Sequence, residues 1–147
     1  FKEKYSKIAQ WHETLQNDAI TYNRITLPSG RYYNFSNVYR MRYGGVSNST
    51  AIKNYPVQGF ATADLLPIAL IKLKKLLTDK QMLSIICNTV HDSIVIDVHP
   101  DEQDLAVETM KEAMLSLPEE CKKRYNVDYD MPIGIEIKIG NNWFDTH

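Results

Sequence analysis

The five residues Thr89-Val90-His91-Asp92-Ser93 place an imidazole beside a carboxylate where two apolar runs break off. Met82-Leu83-Ser84-Ile85-Ile86-Cys87 lies before them and Ile94-Val95-Ile96-Asp97-Val98 after. Two β-branched runs about a short polar break predict a β-hairpin whose turn carries His91 and Asp92. Such a turn holds a carboxylate rigidly while leaving it within reach of solvent, metal or substrate. On these residues alone an ordinary polar turn is the simpler reading.

Asp92 is the strong candidate for a catalytic metal ligand. Hard divalent cations take carboxylate oxygens, and magnesium commonly takes one or two carboxylates together with substrate phosphates. Two-metal phosphoryl transfer needs more than one carboxylate, since one ion activates the attacking oxygen and the other steadies the leaving one. Asp97 follows five residues later in extended chain, roughly 16 Å away, and so should not share a metal with Asp92. Asp64 and Asp79 lie on or after a long helix and are expected to be solvated. The residues in hand supply half a metal site.

A second group is Lys53-Asn54-Tyr55-Pro56-Val57-Gln58-Gly59-Phe60. Asn54 and Gln58 are four apart, so a helix sets both amides on one face. Amides donate and accept, which suits hydrogen bonding to base edges in a minor groove. Helix capping by Asn54 with Gln58 on the surface remains the plain alternative.

Charge separates along the chain behind a formal net of −1. Residues 1–80 hold 12 Lys and Arg against 5 Asp and Glu, a balance of +7. Residues 81–147 hold 5 against 13, a balance of −8. No acid stands between Asp18 and Asp64, a stretch that contains Arg24, Arg31, Arg40, Arg42 and Lys53 interleaved with Tyr22, Tyr32, Tyr33, Tyr39, Tyr43 and Tyr55. Cations mixed with aromatics and amides suit a polyanion that needs its phosphates neutralised and offers sugar and base faces. A basic surface face balancing an acidic one is the competing reading.

These groups need elements to position them. A helix is expected from Glu3 to Ile20 on the spacing of Ile8, Trp11, Leu15 and Ala19. A hairpin should follow, with Ile25-Thr26-Leu27 and Arg31 to Phe35 about the turn Pro28-Ser29-Gly30. Residues 35–50, with Gly44-Gly45, read as an irregular loop that is mobile without a partner. Pro56 suits the first turn of a long apolar helix through Leu77, bent or broken at Pro67. The His91-Asp92 hairpin comes next, then a helix from Pro100 that Pro118 ends, and a charged connection over 119–129. Ile133 to Ile139 alternates as a final strand, and 141–147 is a short tail. The order predicts an α+β domain, an antiparallel sheet with helices packed on one face, the two long helices flanking the central hairpin as in split β-α-β arrangements.

A chain of 147 residues with 44% hydrophobic content fits one soluble domain without a membrane segment or a signal peptide. Two cysteines suggest neither a disulfide framework nor a zinc site, and a reducing intracellular setting is the default. Starting at Phe1 rather than Met fits an excised segment of something larger.

Taken together, Asn54-Tyr55-Pro56-Val57-Gln58-Gly59 entering an apolar helix, Val90-His91-Asp92-Ser93 in a hairpin, and the tail Gly140-Asn141-Asn142-Trp143-Phe144-Asp145-Thr146-His147 resemble the palm of family A DNA polymerases, the relatives of bacterial DNA polymerase I and its phage counterparts. The hairpin from Arg24 to Phe35 resembles the stretch leading from fingers to palm, so the likeness covers nearly the whole chain in order. It implies one domain, with residues 1–50 closing the fingers and 51–147 forming a partial palm. It implies that Asp92 holds the catalytic Mg2+ as one of two palm aspartates and that His91 lies near the primer terminus. Asn54 and Gln58 would contact the primer–template minor groove, while Lys53, Arg24, Arg31, Arg40 and Arg42 follow the duplex backbone.

Three departures bear on that likeness. Ser93 stands where bacterial members usually have Glu and phage-like members more often Ser, which tilts the origin towards phage and the setting towards the cytoplasm of a bacterium or a phage-infected one. Thr50 stands where bacterial relatives commonly have an arginine. The family's other metal-binding aspartate and its nucleotide-binding finger helix lie upstream of Phe1. The expectation is a C-terminal palm fragment or split subunit of a template-directed DNA polymerase, inactive alone. Its partners would be primer–template DNA, deoxynucleoside triphosphates and an upstream segment carrying the second aspartate. A non-catalytic nucleic-acid-binding module of the same fold is the alternative; a metal-dependent nuclease is disfavoured for want of a second carboxylate near Asp92.

Overall fold

Left-handed residues and buried aliphatics together decide where this chain turns. The computed structural model describes residues 4–146, which form two compact units divided between Leu65 and Leu66.

In the first unit, helix α1 (Ser6–Tyr22) buries Leu15 and Ala19 and ends on Asn23 at φ +52°, a conformation that Asn tolerates better than most side chains. Ile8 and Trp11, expected on its buried stripe, stay largely exposed. Strands β1 (Arg24–Thr26) and β2 (Tyr32–Asn34) form the expected antiparallel hairpin, with Arg24 opposite Asn34 and Thr26 opposite Tyr32. Its turn is closed by the Leu27 N–H donating to the Arg31 carbonyl (2.7 Å) and the Gly30 N–H to the Leu27 carbonyl (2.9 Å). Gly30 sits there at φ +85°, where a side chain would be strained.

Residues 39–47 are not an irregular loop. The Met41 N–H donates to the Gly45 carbonyl and the Gly44 N–H to the Met41 carbonyl, both at 3.1 Å, and Arg40 bridges Val46. The glycine pair supplies positive φ at the turn, while Val38 and Val46 bury both feet of the loop beside Phe35 and Ile52.

Helix α2 (Ser49–Gly59) begins seven residues before Pro56, so that proline lies inside the helix rather than in its first turn. Burial of Ile52 and Pro56 against the hairpin and α1 outweighs the lost backbone bond. A π-helical stretch, Phe60–Leu65, comes after it. A π-turn adds one residue to the helical ladder and rotates the facing of later residues by about 100°. Gly59 is required at this junction, because a methyl group there would run into the Tyr33 ring, which is itself packed edge-on to Tyr55 at 5.3 Å.

In the second unit, α3 (Leu66–Asp79) resumes regular helix just before Pro67, so the expected break takes the form of a change of helix type. Strands β3 (Ile85–Val90) and β4 (Ser93–Asp97) form the central hairpin, with a bulge between Ile86 and Asn88. Ile86, Ile94 and Ile96 pack one face of it onto Leu73, Leu77 and Ala113. A short 3-10 turn (Pro100–Glu102) leads into α4 (Gln103–Leu115). Pro118 does not close a helix but opens the next, α5 (Leu117–Tyr125), which replaces the expected charged connection. Proline is well suited to a first turn, where its missing N–H has no partner to lose. Residues 133–139 keep the predicted alternation, Ile133, Ile135 and Ile137 being half-buried, yet pair with no strand among the described residues. Trp143–Thr146 closes the tail as a 3-10 turn; His147 lies outside the described residues.

The α+β class holds. The single expected sheet is instead two two-stranded sheets, one in each unit; the first packs on α1 and α2 about Leu15, Ile25 and Ile52, and the second carries a helical layer with Leu73, Leu77 and Ala113 at its centre.

Candidate functional site

In the second unit, Val90 pairs with Ser93, so the connection between β3 and β4 is the two residues His91 and Asp92. His91 takes φ +54°. A positive φ at the first turn residue matches the twist of the flanking strands, and His is among the side chains that adopt it at modest cost. The Ser93 hydroxyl donates to the Val90 carbonyl at 2.9 Å and ties the base of the turn. Both side chains at the tip are exposed, and neither makes a hydrogen bond or ion pair with a described residue. The Asp92 carboxylate is thus held on a tied turn with its oxygens open. Among the described residues no three His, Cys, Asp or Glu side chains gather as a metal-binding group.

The base of the hairpin is fixed by another carboxylate. Glu102 accepts from the Leu83 N–H (2.8 Å), the Ser84 N–H (2.9 Å) and the Ser84 hydroxyl (2.6 Å). The Ser84 hydroxyl bond, then the backbone bond from Leu83, hold the Glu102 carboxyl below the usual carboxylate range. These bonds clamp the residues entering β3 at the end of the hairpin away from His91 and Asp92.

In the first unit, α2 presents Asn54 and Gln58 on one exposed face, as their spacing requires, and the Asn54 amide donates to Gln58 Oε1 at 2.9 Å. Asn54 caps nothing; the helix begins five residues earlier, and Asn48 precedes it. Lys53 sits beside them, half-buried. Arg24 lies over the Tyr32 ring at 5.7 Å. Arg40 donates to Asn17 Oδ1 at 2.6 Å, whereas Arg42 has no polar partner among the described residues.

Arg31 is otherwise engaged. Its Nε donates to Asp64 Oδ1 at 2.9 Å and its Nη2 to the Ala63 carbonyl at 3.2 Å, while the Ser29 hydroxyl donates to Asp64 Oδ2 at 2.6 Å. Asp64, expected in solvent, is only 3% exposed. Asp64 lies in the π-helical stretch with its carboxylate against the hairpin turn. The sequence does carry a signal for this pairing: Asp64 is the only acid between Asp18 and Asp79, in a stretch rich in cations. Asp79 is exposed as expected and pairs with Lys75 at 2.6 Å. A cleft of about 400 Å³ in this unit is lined by Trp11, Leu15, Leu27, Pro56, Val57 and Phe60, among others, with no titratable group lining it among the described residues.

The folded arrangement is that of a polymerase domain segment. It superposes on the POL domain of Pol1 from M. smegmatis, solved in complex with DNA primer-template and dNTP, with a TM-score of 0.69 over 79% of this chain and 20% of that one, at 21% identity. The sequence model of DNA polymerase family A matches residues 1–145, and the chain belongs to that family. DNA polymerase I of Lactococcus lactis subsp. cremoris (strain MG1363) is 29% identical over 150 residues, covering 98% of this chain and 15% of that protein. The DNA polymerase of Bacillus phage SP01 is 37% identical over 97 residues, 63% of this chain and 10% of that protein. The chain spans about one seventh of the length of the Lactococcus relative and about a tenth of the phage one. No helix among the described residues is long and apolar enough to cross a membrane.

Proposed function

We propose that this chain forms the C-terminal palm portion of a phage-like DNA polymerase and supplies one of the two carboxylates that hold the catalytic cations. The observation that carries the reading is Asp92: a carboxylate at a two-residue turn, tied by Ser93 and without a polar partner among the described residues, in a chain that matches the family over residues 1–145. Membership of the family speaks for a divalent metal, and hard-cation chemistry favours Mg2+. The Asp92 oxygens fit such an ion as a single ligand. The same chemistry requires a second carboxylate, which in this reading comes from an upstream polymerase segment.

In the reaction the 3′-hydroxyl of the primer attacks the α-phosphate of a bound deoxynucleoside triphosphate; the new P–O bond forms as the bond to pyrophosphate breaks. The cations, when bound, would favour the attacking alkoxide and neutralise charge on the leaving phosphates. The chain's own residues position the nucleic acid. Asp92 fixes where the cations sit, and His91, on the same turn, donates towards the primer terminus. Asn54 and Gln58 offer amide donors to minor-groove acceptors, a readout shared by all base pairs and so tolerant of sequence. Lys53, Arg24, Arg40 and Arg42 neutralise backbone phosphates. Arg31, tied to Asp64, shapes the hairpin and lends its half-exposed guanidinium to the same basic face.

The test is primer extension by the purified chain, alone and mixed with an upstream family A polymerase segment bearing the second aspartate. The expected result is no extension alone and regained extension in the mixture. Extension by the chain alone would overturn the division of the metal site. A non-catalytic nucleic-acid-binding module would bind primer–template yet stay silent in both arms.

A further inference from the structure

The ring of Tyr43 is delivered almost wholly to solvent by a tightly built turn: it is 96% exposed. Its turn repeats the closure of the Leu27–Arg31 turn, an N–H bonding to the carbonyl four residues on and a second bonding back three. Below the tip, the Tyr39 N–H donates to the Ser47 hydroxyl and the Ser47 N–H to the Tyr39 carbonyl, both at 3.0 Å. Val38 and Val46 anchor the two feet in the unit's core. The turn sits in the stretch without acids, and Arg42 beside Tyr43 has no polar partner among the described residues.

A turn tip of this form has no need of an aromatic; polar residues and glycine satisfy its backbone. An unburied ring beside an unpaired guanidinium matches a nucleotide, whose base has a face to stack and whose phosphate needs a cation. Bases inside a duplex are already stacked on both sides, so away from the duplex ends a ring at a hairpin tip finds a free face only on an unpaired base. Charge complementarity selects nucleic acid over an apolar protein surface, since the stretch from residue 19 to 63 holds five cations and no acid.

We propose that the turn Met41–Gly45 is a single-strand hook: Tyr43 stacks on an unpaired base of the bound nucleic acid, and Arg42 takes the adjoining phosphate. The hook rests on the nucleic-acid reading given above. It adds a contact to unpaired strand, distinct from the duplex contacts of Asn54 and Gln58.

The test is the affinity of the purified chain, by fluorescence anisotropy at low salt, for a duplex with a single-stranded overhang and for the blunt duplex of the same length. Tyr43→Ala should weaken the overhang substrate about 5- to 10-fold and leave the blunt duplex unchanged. Tyr43→Phe keeps the ring and should bind as the wild type does. Arg42→Ala should reduce the salt dependence by about one phosphate contact. An unchanged thermal midpoint for Tyr43→Ala, expected of so exposed a residue, keeps the comparison clean. Equal affinity of Tyr43→Ala and wild type for the overhang would overturn the hook, as would an equal loss on both substrates. Wild-type chain that binds neither substrate would instead remove the nucleic-acid reading beneath it.

Discussion

At the scale of single residues, two carboxylates of this chain are put to opposite uses. Asp92 is left open at a turn, whereas Asp64 is enclosed and bonded by both the Ser29 hydroxyl and the Arg31 guanidinium. Removing Asp64 would strand a guanidinium and a hydroxyl. Because Arg31 is itself half in solvent, Asp64→Ala should cost about 2–3 kcal/mol, below the full penalty of breaking a buried pair; urea unfolding would measure it, and a loss under about 0.5 kcal/mol, the range of an ordinary surface substitution, would show the knot to be incidental. Arg31→Lys should fall between, since lysine keeps the charge without the fork. The open carboxylate was readable from sequence because a polar pair between two β-branched runs leaves the chain little choice but to turn there. The enclosed one was not. Its burial goes with the Ser29 hydroxyl and the Arg31 guanidinium of the hairpin turn, tertiary partners that no count along the helix names.

Elements were legible where a short-range rule decides them. Pro28-Ser29-Gly30 and the His91-Asp92 break announced both hairpins, and register followed from turn length. Prolines misled, because Pro56 and Pro118 each take the role that packing gives them: Pro56 is carried inside α2 by burial beside Ile52, and Pro118 starts a helix. The alternation of residues 133–139 predicted a strand, yet a strand exists only by virtue of a neighbour, which sequence does not name. Two outcomes test this level. Ile52, fully buried between α1, the hairpin and α2, should lose about 2–5 kcal/mol on Ile52→Ala, read as a lower denaturant midpoint. Glu102 has its folded-state pKa lowered by the Ser84 hydroxyl and the Leu83 and Ser84 amides. Its stabilisation is therefore present above the ordinary glutamate pKa of about 4.3 and fades as pH falls through the lower folded value. Acid titration of the second unit should show that loss, and Glu102→Gln should flatten it; an identical acid profile for the variant would contradict the assignment.

For the molecule as a whole, charge divides with structure: the basic, acid-poor stretch lies in the first unit, while the candidate metal ligand lies in the second. That division suits a protein of which one part neutralises phosphates and another holds the cations they share. If Lys53, Arg24, Arg40 and Arg42 each meet a phosphate, the logarithm of affinity for primer–template should fall with the logarithm of salt at a slope of about −3 to −4. A flat salt response would rule out phosphate neutralisation by this face. The metal role of Asp92 is tested by single-turnover primer extension by the chain combined with an upstream family A polymerase segment, comparing wild type with Asp92→Ala. Extension should fall by well over the roughly 100-fold that loss of an outer-shell partner costs at metal sites, while affinity for primer–template stays within about twofold by the standard of a residue that contacts metal rather than DNA. Extension by Asp92→Ala at close to the wild-type rate would contradict it.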